Sequence, residues 1–114
     1  MAETRKELAS LTCIPCRGDT PALEQGKIKL LLDVVPGWKK IDGDIDKIQK
    51  HFKFKNFVGS MEFVNKVAEI AEEQDHHPDI FIHWNEVTLT LYTHAINGLF
   101  DNDFIVAAKI DEIK

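Results

Sequence analysis

The chain has 114 residues, enough for one domain with a buried core and too few for a second catalytic module. With 44% apolar and 29% charged residues it has the composition of a soluble globular protein, and no run is long enough to span a bilayer. A formal net charge of -5 disfavours a phosphate-tracking surface, so direct nucleic-acid binding is not expected.

Residues 1–19 are mixed and turn-rich, with no sustained period, and read as an arm of low order preceding a single domain over residues 20–114. Glu3, Arg5, Lys6 and Glu7 break up the first residues, which therefore lack the apolar stretch of a secretory signal, and the cytoplasm is the expected compartment. Cys13 and Cys16 form the one C-x-x-C. A structural zinc site would need further soft ligands nearby, and a thioredoxin-like role would need the pair to open a helix after a strand; neither context is present. The pair reads as reduced surface thiols, with a labile disulfide as the alternative.

Thr20-Pro21 offers an N-cap and a first helical residue, followed by an apolar face of Leu23, Ile28, Leu31, Leu32 and Val35 that stops at Pro36-Gly37. Gly26 costs this helix about 1 kcal/mol relative to Ala, which favours fraying or a later start. Trp38–Ile41 predicts a short strand, Asp42-Gly43-Asp44 a turn, and Ile48–Phe54 the returning strand of a hairpin.

From Asn56 to Gln74 the period becomes helical, with one stripe of Phe57, Met61, Val64, Ala68 and Ala71 beside another of Phe63, Val67 and Ile70. An arc this wide exceeds what one sheet contact needs. It fits either a self-association surface or a deeply seated core helix.

Ile80–Asn85 and Val87–His94 predict a second strand pair, the latter with Val87, Leu89, Leu91 and Thr93 on its apolar face and Thr88, Thr90, Tyr92 and His94 on the other. Asn97-Gly98 turns the chain into a last helix over Asp101–Ile113, with Phe104, Ile105, Ala107 and Ala108 inward. The order α-β-β-α-β-β-α implies an α+β fold, a four-stranded antiparallel sheet with three helices on one face.

Proton-transfer groups concentrate in Asp75-His76-His77-Pro78-Asp79, followed by a strand-borne Thr93-His94 and then Asp103. Imidazoles suit acid–base chemistry near neutrality. Taken alone, His76-His77 reads as a helix C-terminus favoured by the macrodipole, with Pro78 as the stop signal. A metal set of His76, His77, His94 and Asp103 is disfavoured because adjacent residues diverge in direction and no His-x-x-x-His occurs. His51 and His83 read as surface or rim residues, and Glu69, Glu72 and Glu73 as the solvated face of the middle helix.

The ordered set Glu72-x-x-Asp75-His76-His77-Pro78-Asp79, Trp84-Asn85-x-Val87-x-Leu89-x-Leu91-x-Thr93-His94 and Gly98-Leu99-x-x-x-Asp103 closely resembles the pterin-4a-carbinolamine dehydratases. Pro36-Gly37-Trp38 and Phe52-Lys53-Phe54-Lys55-x-Phe57 extend the resemblance to roughly residues 20–114, and the Cys13-x-x-Cys16 arm looks like that of bacterial members. Two departures stand out: Asn97-Gly98-Leu99-Phe100 replaces a Gly-Gly-Leu followed by Thr or Ser, and Trp84 stands where Tyr is common. Without a hydroxyl at Phe100 the last helix loses a cap worth about 1 kcal/mol unless Asp101 takes that role one residue later, shifting Asp103 toward the first turn.

The resemblance implies dehydration of 4a-hydroxytetrahydrobiopterin to quinonoid dihydropterin, with no cofactor and no metal, in recycling the pterin of an aromatic amino acid hydroxylase. It makes His76, His77 and His94 the active-site histidines, His76 and His94 as the proton-transfer pair and His77 binding or orienting the pterin. Pro78 and the Thr93, His94, Ala95 and Ile96 backbone match substrate-contacting segments. Asp75 or Asp103 would hold an imidazole in one tautomer, a carboxylate favouring its basic form. Trp38 either stacks on the pterin or belongs to the core. A homodimer or homotetramer is expected, and the alternative function is a protein-association cofactor, through transcription-factor dimerisation or hydroxylase regulation, acting by the exposed middle helix.

Overall fold

The computed structural model describes residues 4–15 and 18–113. Its elements run α1 (Arg5–Ala9), α2 (Gln25–Val34), β1 (Lys39–Ile41), β2 (Lys47–Lys53), α3 (Phe57–Gln74), β3 (Asp79–His83), β4 (Glu86–Leu91), a 3-10 turn at His94–Ile96 and α4 (Asp101–Asp111). All sheet pairings are antiparallel, in the order β1-β2-β4-β3. This is the expected α+β architecture with a further short helix.

The alternation anticipated in β4 is what builds the core. Val87, Leu89 and Leu91 are completely buried under the helices, while Thr88 and Thr90 face the other way. Ile48 reaches the same core from β2, and α4 contributes an almost continuous buried run from Asn102 to Ala108. That helix is covered on more than one side because α3 and α1 both pack against it. Pro36 and Gly37 end α2 as expected; Gly37 sits at φ +97, in the left-handed region where a Cβ is strained.

Four expectations are corrected. The segment expected to be of low order carries α1, capped by the Thr4 side chain and anchored by Leu8, which is 2% exposed. Five residues give too little periodicity to read, and the stabilising contact is tertiary. Cys16 lies outside the described residues; Cys13 is half-buried, with its Sγ 3.7 Å from Asn102 C=O. Helix α2 starts at Gln25, not at Thr20-Pro21, because Leu23 N–H donates instead to Leu99 C=O at 2.9 Å, keeping the preceding chain extended.

The second strand of the later pair ends at Leu91, so His94 is not strand-borne: it opens the 3-10 turn. Thr93 alone continues the pairing, bridging to Gly98, and Asn97 closes the turn at φ 49. Finally, Phe100 rather than Asp101 is the N-cap of α4. Its side chain cannot accept a hydrogen bond, but Asp103 reaches back to accept the Phe100 N–H at 3.0 Å, supplying half of a capping box.

Candidate active site

Two chain reversals bring the histidines together. At the end of α3, Asp75 takes φ 51, a left-handed conformation that Asp tolerates better than most residues, and both Asp75 and His76 N–H groups return to Ala71 C=O. This abrupt stop sends the side chains of His76 and His77 in different directions. His76 goes inward, where Nε2 lies 2.6 Å from Asp103 Oδ1, with the two side chains 10% and 0% exposed. His77 stays exposed and is held at 2.5 Å by Glu72 Oε2 from the last turns of α3.

His94 arrives from the other side. After Leu91 plunges into the core, Thr93 is locked by its bridge to Gly98 and by its hydroxyl donating to Asp103 Oδ2 at 2.8 Å. His94 is therefore presented at the sheet's end, with Nδ1 3.0 Å from the Tyr92 hydroxyl. Both oxygens of Asp103 are partnered: Oδ1 serves His76, and Oδ2 serves Thr93 and the Phe100 N–H. A carboxylate buried without such partners would cost several kcal/mol, on the order of 3 or more.

A cavity of about 410 Å³ lies between these elements, lined by Asp75, His76, His77, Pro78, Asp79, Tyr92, Thr93, His94, Ala95 and Asn102, with Ile14 and Pro15 closing one side. The volume falls within the roughly 300–1,000 Å³ typical of small-molecule sites. Of the residues expected at the site, His76, His77, His94, Asp75, Pro78, Thr93 and Ala95 are brought together here. Asp103 sits behind His76 rather than on the wall, and of the two carboxylates weighed as tautomer-fixing partners it is the one in contact with an imidazole.

Ile96 and Trp38 are corrections. Ile96 does not line the cavity, because the 3-10 turn carries it past the opening. Trp38 is 4% exposed in the core, where its Nε1–H donates to both oxygens of Asp111 at 3.2 and 3.1 Å, far from any stacking role. Buried indoles need such an acceptor.

Residues missed from the sequence are Glu72, Tyr92, Gln74, Asn102 and the Ile14-Pro15 wall. Asn102, 3% exposed, accepts from Ile14 N–H at 3.1 Å and donates to Ile14 C=O at 2.6 Å, while Gln74 Oε1 accepts Cys13 N–H at 2.8 Å. Two buried carboxamides thus strap the N-terminal segment across the cavity. A buried amide beside the histidine motif was the only local signal. Among the described residues no group of three His, Cys, Asp or Glu side chains is arranged to hold a metal ion, and no helix is long and apolar enough to cross a membrane.

The antiparallel sheet and its flanking helices thus bring three imidazoles to the wall of one pocket. The sequence matches the family model for pterin 4 alpha carbinolamine dehydratase over residues 21–113. Relatives assigned by inference as pterin-4-alpha-carbinolamine dehydratases include one from Rubrobacter xylanophilus, 42% identical over 94% of this chain and 98% of its own. Another, from Cupriavidus pinatubonensis, is 44% identical over 95% of this chain and 92% of its own. A solved structure from Brucella melitensis, described as a transcriptional coactivator/pterin dehydratase, is 37% identical and superposes with a TM-score of 0.75 over 79% of this chain and 95% of that one. A pterin dehydratase-like RuBisCO assembly factor of the alpha-carboxysome is 25% identical, with a TM-score of 0.58 over 67% of this chain and 87% of that one. The chain belongs to the pterin-4a-carbinolamine dehydratase family, whose members are hydro-lyases.

Proposed function

We propose that this protein dehydrates 4a-hydroxytetrahydrobiopterin to quinonoid dihydropterin and water by histidine acid–base catalysis. The observation that supports this reading most is the convergence of His76, His77 and His94 on one cavity large enough for a bicyclic heterocycle. The carbon–oxygen bond at the tertiary ring carbon breaks, the hydroxyl leaves as water with a proton from one group, and the neighbouring ring nitrogen gives its proton to another as the carbon–nitrogen double bond forms. Atoms and electrons balance without oxidant or reductant. His76 and His94 are the proton-transfer pair, and positioned groups of this kind contribute roughly 100- to 10,000-fold in rate.

His77, held at the rim by Glu72, binds or orients the pterin, and the flat ring lies against Pro78 and the Thr93–Ala95 backbone. The decisive experiment is a turnover assay on synthetic carbinolamine with chelator present. Catalysed loss of water supports the assignment, and a rate equal to the spontaneous one removes it.

Self-association through α3 is a second reading, favoured by one observation. The wide apolar arc divides in two: Phe63, Val67 and Ala71 are buried in the core, whereas Phe57 is 50% exposed and Ala68 is exposed, with Met61 and Val64 only half-buried. The uncovered stripe suits a homodimer or homotetramer, or a different protein partner.

A further inference from the structure

We propose that Tyr92 is a positioning residue for His94: its phenol donates the O–H to Nδ1 of His94 and holds the neutral ring as the tautomer with hydrogen on Nε2, the nitrogen left for the cavity. The inference deepens the acid–base reading and rests on it for its catalytic consequence. Its structural content stands separately.

The contact is built rather than incidental. Tyr92 and His94 flank Thr93, which is fixed by its pairing with Gly98 and by the Asp103 carboxylate, so the two rings are held on the same side of a pinned residue. Their centroids are 4.2 Å apart with planes at 47°, and the hydroxyl lies 3.0 Å from Nδ1. Both line the same cavity. Lys47 Nζ stands 4.6 Å from the Tyr92 ring centroid.

The direction of the hydrogen bond follows from the partners. A phenol is a better donor than the N–H of a neutral imidazole, and a bare imidazole nitrogen is a better acceptor than a phenolic oxygen. The ammonium of Lys47 over the ring face draws electron density from the phenol, which strengthens the O–H as a donor and weakens the oxygen as an acceptor. When His94 takes a second proton the hydroxyl can turn and accept from Nδ1–H, so the ring stays oriented in both states.

His76 is backed in the opposite sense. A carboxylate only accepts, so Asp103 requires hydrogen on His76 Nε2 and leaves the Nδ1 lone pair as that ring's free acceptor. With both rings neutral, the site offers a donor from His94 and an acceptor from His76. Those are complementary faces for a leaving hydroxyl and a ring N–H.

The test is nitrogen-resolved NMR of the histidine rings in the full chain at alkaline pH, where imidazole is neutral. The expected spectrum has His94 with hydrogen on Nε2 and a bare, hydrogen-bonded Nδ1. In Tyr92→Phe, which keeps the ring and its packing, the two nitrogen shifts should move toward a common average, and kcat should fall roughly 2- to 10-fold with KM nearly unchanged, the size expected for one neutral hydrogen bond. Lys47→Met, which leaves the phenol in place, should move the shifts the same way by less. Hydrogen on Nδ1 in the parent, or identical His94 shifts in parent and Tyr92→Phe, overturns the proposal. Full turnover by His94→Ala would instead remove the catalytic role of His94, and the NMR result would still decide what Tyr92 does.

Discussion

His76 and Thr93 hang from opposite oxygens of one carboxylate, 2.6 Å from Asp103 Oδ1 and 2.8 Å from Oδ2 respectively. Asp103 thereby couples the loop after α3 to the residue that precedes His94, and a single buried carboxyl group ties the placement of the two rings together. Asp103→Asn keeps the volume but adds donor hydrogens where His76 Nε2–H and Phe100 N–H already point at the carboxylate. Turned one way, the carboxamide nitrogen meets the Phe100 N–H; turned the other, it forces His76 into the opposite tautomer, with hydrogen on Nδ1. We expect a stability loss of about 1–3 kcal/mol and a fall in kcat of tenfold or more, roughly the effect of losing an oriented acid–base group. Thermal unfolding and turnover measured together check this; an undiminished kcat would mean that the orientation of His76 is immaterial.

The two histidines proposed as the proton-transfer pair differ in what their removal costs the fold. His94 is exposed, so His94→Ala should leave the thermal midpoint nearly unchanged, as surface substitutions do, while cutting turnover roughly 100- to 10,000-fold. His76 is 10% exposed and partners a completely buried carboxylate, so His76→Ala also strands Asp103. It should lower stability by about 3 kcal/mol, in the range for breaking a buried pair, as well as abolishing most activity. Calorimetry of the two variants side by side separates these outcomes, and equal midpoints would contradict the geometry at Asp103.

The strap over the cavity depends on Asn102. Asn102→Ala removes both hydrogen bonds to Ile14 and should cost about 1–3 kcal/mol, since two backbone groups lose their partner. With the Ile14-Pro15 wall released, KM for the carbinolamine should rise several-fold while kcat changes little, and limited proteolysis should cut the N-terminal segment sooner. Unchanged KM with an accessible segment would show that the strap serves the fold and not the pocket.

Much of the fold was readable because β4 alternates strictly and α3 carries a helical stripe, Phe63, Val67 and Ala71, that is buried as its spacing implies. By contrast, α4 is buried nearly all round and showed itself by its apolar content after the Asn97-Gly98 turn. What could not be read depended on contacts distant in sequence. Leu8 gives no sign by itself that it will pack on α4, and the N-terminus of α2 was decided by Leu23 pairing with Leu99 rather than by the attractive Thr20-Pro21 cap. At the site, the histidines were legible as an ordered motif, but Glu72 was indistinguishable from its solvated neighbours Glu69 and Glu73 until the left-handed Asp75 folded His77 back toward it. Trp38 shows the converse: a plausible ring for stacking became a core residue once Asp111 supplied its acceptor.

The exposed stripe of α3 gives the last prediction. Phe63 and Val67 are poor places to probe association because they are 8% and 0% exposed and face the core, so charges there would unfold the chain. Phe57 is better placed: it is half exposed at the first position of the helix, where a carboxylate is favoured by the helix dipole. Phe57→Glu should therefore leave the thermal midpoint of the isolated chain close to that of the parent, yet place a charge on the apolar surface that a second copy would have to bury. Desolvating that charge without a partner costs several kcal/mol, on the order of 3 or more, enough to weaken association more than 100-fold. Sedimentation should then show smaller particles than the parent at equal concentration, and an unchanged mass would remove the α3 stripe as the self-association surface.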